Sequence, residues 1–323
     1  MTAPISFDDV LRARERIAPY LAPTPLRQYP SLDAAVPGVH LFVKHENMQP
    51  TGSFKVRNGL STVTALTIQQ RAAGIVGAST GNHGLGLAYA GRQLGTSVSI
   101  CVPQVNNPEK NAAMRAWGAN VVEEGTDYDA ATLVANRLAE TEGRTLCHST
   151  NNVHVLSGAG TMTLEILEQV SDLDVLLIAT GGGSQALGAV TVAKELQPSL
   201  KVIGVQAAGA SAFCDSWHAK TPMTTPRAET FAEGVATRST YALTFEPLVD
   251  GLADFITVTD AEIAEAVRMI LSATHHLVEG SGAIGVAGAV KMRDLLQGQR
   301  VGVVFCGANM DSAVLQRILN REL

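Results

Sequence analysis

No stretch of this 323-residue chain is apolar for long enough to cross a bilayer. The longest apolar runs, Val175-Leu176-Leu177-Ile178-Ala179 and Val301-Gly302-Val303-Val304-Phe305, have the length of buried strands, and the expectation is a soluble protein. There is no block of like charge. The 24 basic and 30 acidic residues are interspersed and sum to a formal charge of −6, which argues against nucleic acid or an anionic membrane and leaves a small solute as partner. Cysteine is scarce: Cys101, Cys147, Cys214 and Cys306 lie far apart, form no Cys-x-x-Cys pair, and follow no charged-then-apolar leader. That pattern suggests a reducing cytoplasm. Tandem repeats and low-complexity tracts are also missing.

What the chain does have is apolar residues, 46% of the total, in a length greater than one core usually organises, so two domains are expected. From residue 74 onward, short apolar runs alternate with amphipathic segments of helical length, the pattern of a parallel α/β sheet flanked by helices. Strands are expected at Gly74 to Ser79, Ser97 to Val102 and Val121-Val122, with helices at Gly81 to Leu94, Pro108 to Trp117 and Asp129 to Thr141. A second series follows: a strand Asp174 to Ala179, a glycine run, a helix to about Leu196, and a strand Lys201 to Gln206. Thr259-x-x-Glu262 is a capping box that opens a helix to about His276, and a last strand covers Val301 to Phe305. The order implies one domain inserted in another, with 74–150 the smaller unit and 1–73 plus 151–323 the larger.

Three short segments carry chemistry. Pro50-Thr51-Gly52-Ser53-Phe54-Lys55-Val56-Arg57 places one lysine in a Gly/Ser turn beside an aromatic ring, where it could form a Schiff base with an aldehyde cofactor or simply be solvated. Thr180-Gly181-Gly182-Gly183-Ser184 stands between a strand and a helix, so its unhindered N–H groups can converge on a phosphate. Gly181, Gly183 and Ala186 also satisfy a dinucleotide fingerprint, but the acidic residue this requires about twenty positions on is Gln206. Ala78-Ser79-Thr80-Gly81-Asn82-His83-Gly84 likewise joins strand to helix. Its polar side chains suit a carboxylate, although N-capping would use one of them.

Taken with Cys306-Gly307-Ala308-Asn309, and in this order and spacing, these motifs resemble the fold type II pyridoxal phosphate enzymes. Within that family the chain is most similar to the threonine/serine dehydratase and serine racemase group, from about residue 6 to the C-terminus. The resemblance implies two open parallel twisted sheets, pyridoxal 5'-phosphate as cofactor, and a homodimer. It implies Lys55 as the Schiff-base lysine and proton carrier, Phe54 beside the pyridine ring, and Asn82 at the phenolic oxygen. Gly181, Gly182, Gly183 and Ser184 match the phosphate loop, Glu279 a glutamate near the ring, and Cys306 the residue facing the pyridine nitrogen. Ser79, Thr80, Gly81, Asn82 and His83 match the turn that holds the substrate carboxylate. The implied reaction is water elimination from threonine, serine or 3-hydroxyaspartate to a 2-oxo acid and ammonia. Racemisation, β-replacement and non-catalytic pyridoxal binding are the alternatives.

Several positions depart from the family pattern. Thr80 stands where related racemases carry the serine that protonates the opposite face of Cα. Gln206 and Ala212 replace the two carboxylates of the family's divalent-metal site, so no magnesium or calcium is expected there. His275-His276 point to different sides of a helix and are expected to be solvated rather than a ligand pair. Asn58 replaces a glycine after the arginine of the lysine motif. His154 and Arg238 are candidates for reading a substrate side chain. The chain stops about a dozen residues after Asn309, which implies no regulatory extension and a catabolic role.

Overall fold

The computed structural model describes residues 3–323. Ten strands form two sheets: β1 (Leu26–Arg27), β2 (His40–Lys44), β3 (Ile75–Ala78), β4 (Val98–Val102), β5 (Asn120–Glu123), β6 (Thr145–Leu146), β7 (Val175–Ala179), β8 (Lys201–Ala207), β9 (Asp254–Val258) and β10 (Arg300–Val304). The larger sheet has the order β1-β2-β10-β7-β8-β9, with only β1 antiparallel to its neighbour. The smaller runs β5-β4-β3-β6, wholly parallel.

Parallel strands covered by helices on both faces read as continuous apolar runs, and Val175 to Ile178 are accordingly buried with almost no exposure. One core lies on each side of the larger sheet. Val303, Leu177 and Val205 pack on one face, and Leu176, Ile178 and Val304 on the other. Helices fall where the apolar period changes, within a residue or two of the expected bounds: Asn82–Leu94, Pro108–Ala116, Tyr128–Glu142 and Ser184–Leu196. The Thr259 capping box forms reciprocally, with the Glu262 N–H donating to Thr259 Oγ1 at 3.2 Å and the Thr259 N–H to Glu262 Oε2 at 2.6 Å. That helix, Asp260–Thr274, ends just short of the expected His276 because His275 adopts a left-handed φ of 59°.

The helix Lys55–Ala65 precedes β3 in sequence yet packs on the smaller sheet, where Val56, Leu60 and Val63 share a core with Ile75, Leu87 and Ile100. It also meets the helix Asn82–Leu94 backbone to backbone. A Cβ on Gly59 would lie 2.2 Å from the Gly86 carbonyl oxygen, and one on Gly86 would lie 2.3 Å from that of Lys55. Only two glycines permit this approach. It fixes the start of the lysine helix against the start of its neighbour.

In open α/β sheets, ligands bind outside the carboxyl ends of the strands, at the crevices between them. Here the ends of β3, β7 and β10 from the two sheets line a common cleft: β3 leads into Ser79, β7 into the glycine run and β10 into Cys306.

Candidate active site

The cleft between the sheets has a volume of about 1140 Å³ and is lined by Phe54, Lys55, the turn Ser79 to His83, the run Gly181 to Gln185, Glu279 and Cys306. The residues that the resemblance matches to the cofactor and the substrate carboxylate therefore lie on one cleft, whereas His154, a candidate for reading a substrate side chain, does not.

Lys55 begins its helix, and its Nζ lies 4.8 Å from the centre of the Phe54 ring. Burial pushes its ammonium down to about 8, against the opposing influence of Cys306 and Glu279. A lysine in this state is a nucleophile and a base near neutral pH. Its helix is held from behind by a cluster of ionic groups with almost no exposure. Arg57 donates from Nε and Nη2 to Glu46 at 2.8 Å each, and from Nη1 and Nη2 to Glu165 at 2.7 Å each; Lys44 Nζ meets Glu165 Oε2 at 2.8 Å.

At the glycine run, no backbone or side-chain partner engages the N–H groups of Gly181, Gly182 or Gly183 among the described residues. Gly183 has φ of 90° and begins the helix Ser184–Leu196 without a side-chain cap. A Cβ on Gly181 would fall 2.7 Å from the Gly234 carbonyl oxygen, and one on Gly182 would fall 2.5 Å from Thr150 Oγ1. Glycine is thus required at each position. The result is a cradle of free N–H groups at a helix start, joined by a buried Gln185 Nε2 that also lacks a partner.

Across the cleft, Ser79 Oγ accepts the N–H groups of Gly81 at 3.1 Å and Gly84 at 2.9 Å. The hydroxyl therefore caps the helix. His83 lies at hydrogen-bond distance, 3.0 Å, from the Cys147 carbonyl through Nε2, and burial pushes it down to about 3, so the ring is neutral and donates there. Its Nδ1 is buried without a partner. The Thr80 hydroxyl has no hydrogen-bond partner among the described residues and faces the cleft. Asn82 donates from Nδ2 to Glu279 Oε1 at 2.7 Å and accepts from Asn309 Nδ2 at 2.6 Å. Ser281 Oγ donates to the same Glu279 oxygen at 2.8 Å. Burial raises the Glu279 carboxyl, against the pull of Ser281, Lys110 and Asn82. The Cys306 thiol is raised by burial and by Glu279 and stays neutral.

A cleft that joins a desolvated lysine to a phosphate-sized N–H cradle is matched by the comparison with known families: the model described as pyridoxal-phosphate dependent enzyme covers residues 17–307. The chain belongs to the pyridoxal-phosphate dependent enzymes. Its residues fit the cofactor this family uses: the cradle supplies donors for a phosphate, Lys55 an amine for an aldehyde, and Cys306 a neutral group beside both. Among curated proteins, the chain is 33% identical to an L-threonine ammonia-lyase of Thermotoga maritima over 99% of its own length and 79% of the relative's. It is 33% identical to an L-threo-3-hydroxyaspartate ammonia-lyase of Pseudomonas sp, covering 95% and 96% of the two chains, and 31% identical to a catabolic L-threonine dehydratase of Staphylococcus aureus over 98% and 93%. Among solved structures, maize serine racemase superposes with a TM-score of 0.93 at 30% identity, covering 99% and 98% of the chains. A threonine deaminase from T.th. gives 0.90 at 34%, covering 95% and 99%.

Other residues singled out in the sequence fall elsewhere. Gln206 lies buried near the end of β8 and off the cleft lining, accepting the Cys214 N–H at 3.0 Å and donating to Thr237 Oγ1 at 3.3 Å, and Ala212 opens a short helix. The helix ends at Thr274, so neither histidine lies within it; the His276 ring meets His45 tilted at 53°, 4.6 Å between centres, while His275 is exposed. His154 opens the helix Val153–Gln169 half-buried and away from the cleft lining. Arg238 does line it, paired with Asp129. Reading the sequence missed Lys110, Glu233 and Tyr241, which also line the cleft. Lys110 and Tyr241 sit in no glycine-marked turn, and the single Gly234 after Glu233 is too weak a local signal to have found it.

Proposed function

We propose that the chain is a pyridoxal-phosphate dependent ammonia-lyase that eliminates water from a β-hydroxy amino acid such as threonine or serine. The observation that carries this reading is the presence, on one cleft, of desolvated Lys55 and a turn of polar groups at residues 79–83 in which the N–H groups of Thr80, Asn82 and His83 have no partner among the described residues. The bound cofactor supplies an electron sink for negative charge that develops at the substrate Cα.

The protein's own residues do the rest. Lys55 would hold the cofactor through its amine, and a lysine whose ammonium is held near 8 suits taking a proton from the substrate Cα. The glycine run and Ser184 hold the phosphate, and Phe54 backs the lysine. The N–H groups of Thr80, Asn82 and His83, with the Thr80 hydroxyl, would hold the substrate carboxylate; the Ser79 hydroxyl, which takes the Gly81 and Gly84 N–H groups, orders that turn rather than touching the substrate. His83 braces the turn through Cys147. Asn82, locked between Glu279 and Asn309, would present a fixed amide to the cofactor. Neutral Cys306 would place no full charge beside the cofactor's ring.

Racemisation is the second reading, favoured by one observation: the unpartnered Thr80 hydroxyl is free to deliver a proton at Cα. We further assign residues 74–150 to a smaller inserted unit and 1–73 with 151–323 to a larger one, and a homodimeric, cytoplasmic, catabolic enzyme. Four free and buried cysteines suit a reducing compartment, and the catabolic role follows the Staphylococcus aureus relative. The test offers purified holoenzyme L-threonine, L-serine and 3-hydroxyaspartate. A 2-oxo acid with ammonia supports elimination, and a D-amino acid without ammonia supports racemisation.

A further inference from the structure

Which β-hydroxy amino acids the cleft admits depends on the charges around the carboxylate turn, an argument that rests on the elimination reading above. The cationic side chains lining the cleft, among the described residues, are Lys55, Lys110 and Arg238. Lys55 is committed to the cofactor and Arg238 is paired with Asp129. Lys110 reaches over the turn: a Cβ on Gly81 would lie 3.3 Å from its Cδ and 4.0 Å from its Nζ. Its side chain is only 11% exposed, and its partner is Glu233, on the strap that roofs the glycine run from the other side of the cleft. The carboxylates of Asp127 and Asp311 also line the cleft and bring no cation with them; each caps a helix, accepting the Ala130 N–H at 2.8 Å and the Ala313 N–H at 2.9 Å.

A substrate with a second carboxylate needs a cation for it, and the one within reach of the turn is held by an acid that would stand beside the newcomer. We propose that Glu233 is a specificity-determining residue: by holding Lys110 it denies that cation to a second carboxylate and selects β-hydroxy amino acids with an uncharged side chain. This is discrimination by an unfavourable like-charge contact rather than by an added attraction. Arg238 is kept out of use in the same way by Asp129.

The experiment compares native holoenzyme with Glu233→Gln, Glu233→Asp and the double variant Lys110→Met/Glu233→Gln. Two quantities are read: kcat/KM for threonine against 3-hydroxyaspartate, and affinity for malonate against acetate by calorimetry. Native enzyme should favour threonine and acetate. Glu233→Gln should shift both ratios towards the dicarboxylate by about threefold to fivefold, the scale of one partly exposed charge contact, with the kinetic change in KM. Glu233→Asp should keep the native preference, and the double variant should show no gain, since the released cation is gone. Unchanged ratios in Glu233→Gln, or a native preference for 3-hydroxyaspartate, would overturn the proposal. If native enzyme yields no 2-oxo acid from any substrate, the elimination reading fails, and the malonate-to-acetate ratios still decide the role of Glu233.

Discussion

The replacement Glu165→Gln tests how the catalytic lysine is held. Glu165 meets Arg57 through both carboxylate oxygens and Lys44 through one, and Arg57 sits two residues after Lys55 in the same turn of helix. With Glu46, the cluster contains two cations and two carboxylates and is neutral. Lys44, Glu46 and Arg57 have no exposure and Glu165 has 8%. Glutamine keeps the shape but removes one charge, leaving a buried excess of +1 with little water to compensate it. Breaking a buried ion pair by deleting one partner costs about 3–5 kcal/mol. Urea unfolding of the holoenzyme, followed by circular dichroism, should show a loss of that size. Adding Lys44→Met restores one cation to one carboxylate, so the double variant should recover part of the loss, with a coupling of about 1–3 kcal/mol. A loss below about 1 kcal/mol for Glu165→Gln, or no recovery in the double variant, would refute the reasoning. The same cluster has a pH signature. Burial pushes Glu46 up, but Arg57, Thr24 and Lys44 outweigh it and hold the carboxyl below its usual 4.5. A depressed carboxyl stabilises the fold above its unfolded value, so this contribution is present above pH 4.5 and is lost as pH falls below it.

Gly183→Ala forces a side chain into a left-handed backbone, with the new Cβ 2.8 Å from Leu248 Cδ1; cofactor affinity, measured by fluorescence titration, should fall by about 1–3 kcal/mol. Pyridoxal without phosphate should be affected less, and equal losses would place the defect outside the cradle. Gly86→Ala would set a Cβ 2.3 Å from the Lys55 carbonyl oxygen and should part the two helices, lowering both thermal stability and cofactor uptake. In the cofactor-free protein the neutral Lys55 amine is the nucleophile, so the rate of cofactor uptake should rise with pH through about 8, and a midpoint near 10.5 would mean the lysine is solvated. Because its folded value lies below its unfolded one, the unfolded chain binds more protons between those limits, and apoprotein stability should rise across the same window.

Much of this was legible in the sequence because strands and helix starts are written locally. The apolar runs at 175 and 301 and the capping box at Thr259 gave their elements within a residue or two, and the glycine run marked a turn where Gly183 is left-handed and Gly181 and Gly182 leave no room for a Cβ. The turn at Ser79, the glycine run and Cys306 reached one cleft because each follows a parallel strand, whose carboxyl end faces it, while Lys55 and Glu279 are brought there by the helix starts they occupy. What was not legible depends on long-range packing. The Ser79 hydroxyl turns to its own helix and the His83 ring to Cys147, choices decided by the backbone that happens to be near. The shared core of Val56, Leu60 and Val63 with the smaller sheet blurs a boundary that chain order alone draws at residue 74. The pairing of Lys110 with Glu233 and the cluster around Arg57 join residues more than a hundred positions apart, and no local pattern announces either.

The central claim is that Lys55 drives water elimination from a β-hydroxy amino acid. Its most direct test is to incubate holoenzyme and Lys55→Ala with L-threonine and measure 2-oxobutyrate and ammonia together. The account predicts equal amounts of both from the native enzyme and neither from the variant. No 2-oxobutyrate from the native enzyme, or equal yields from the two proteins, would contradict it.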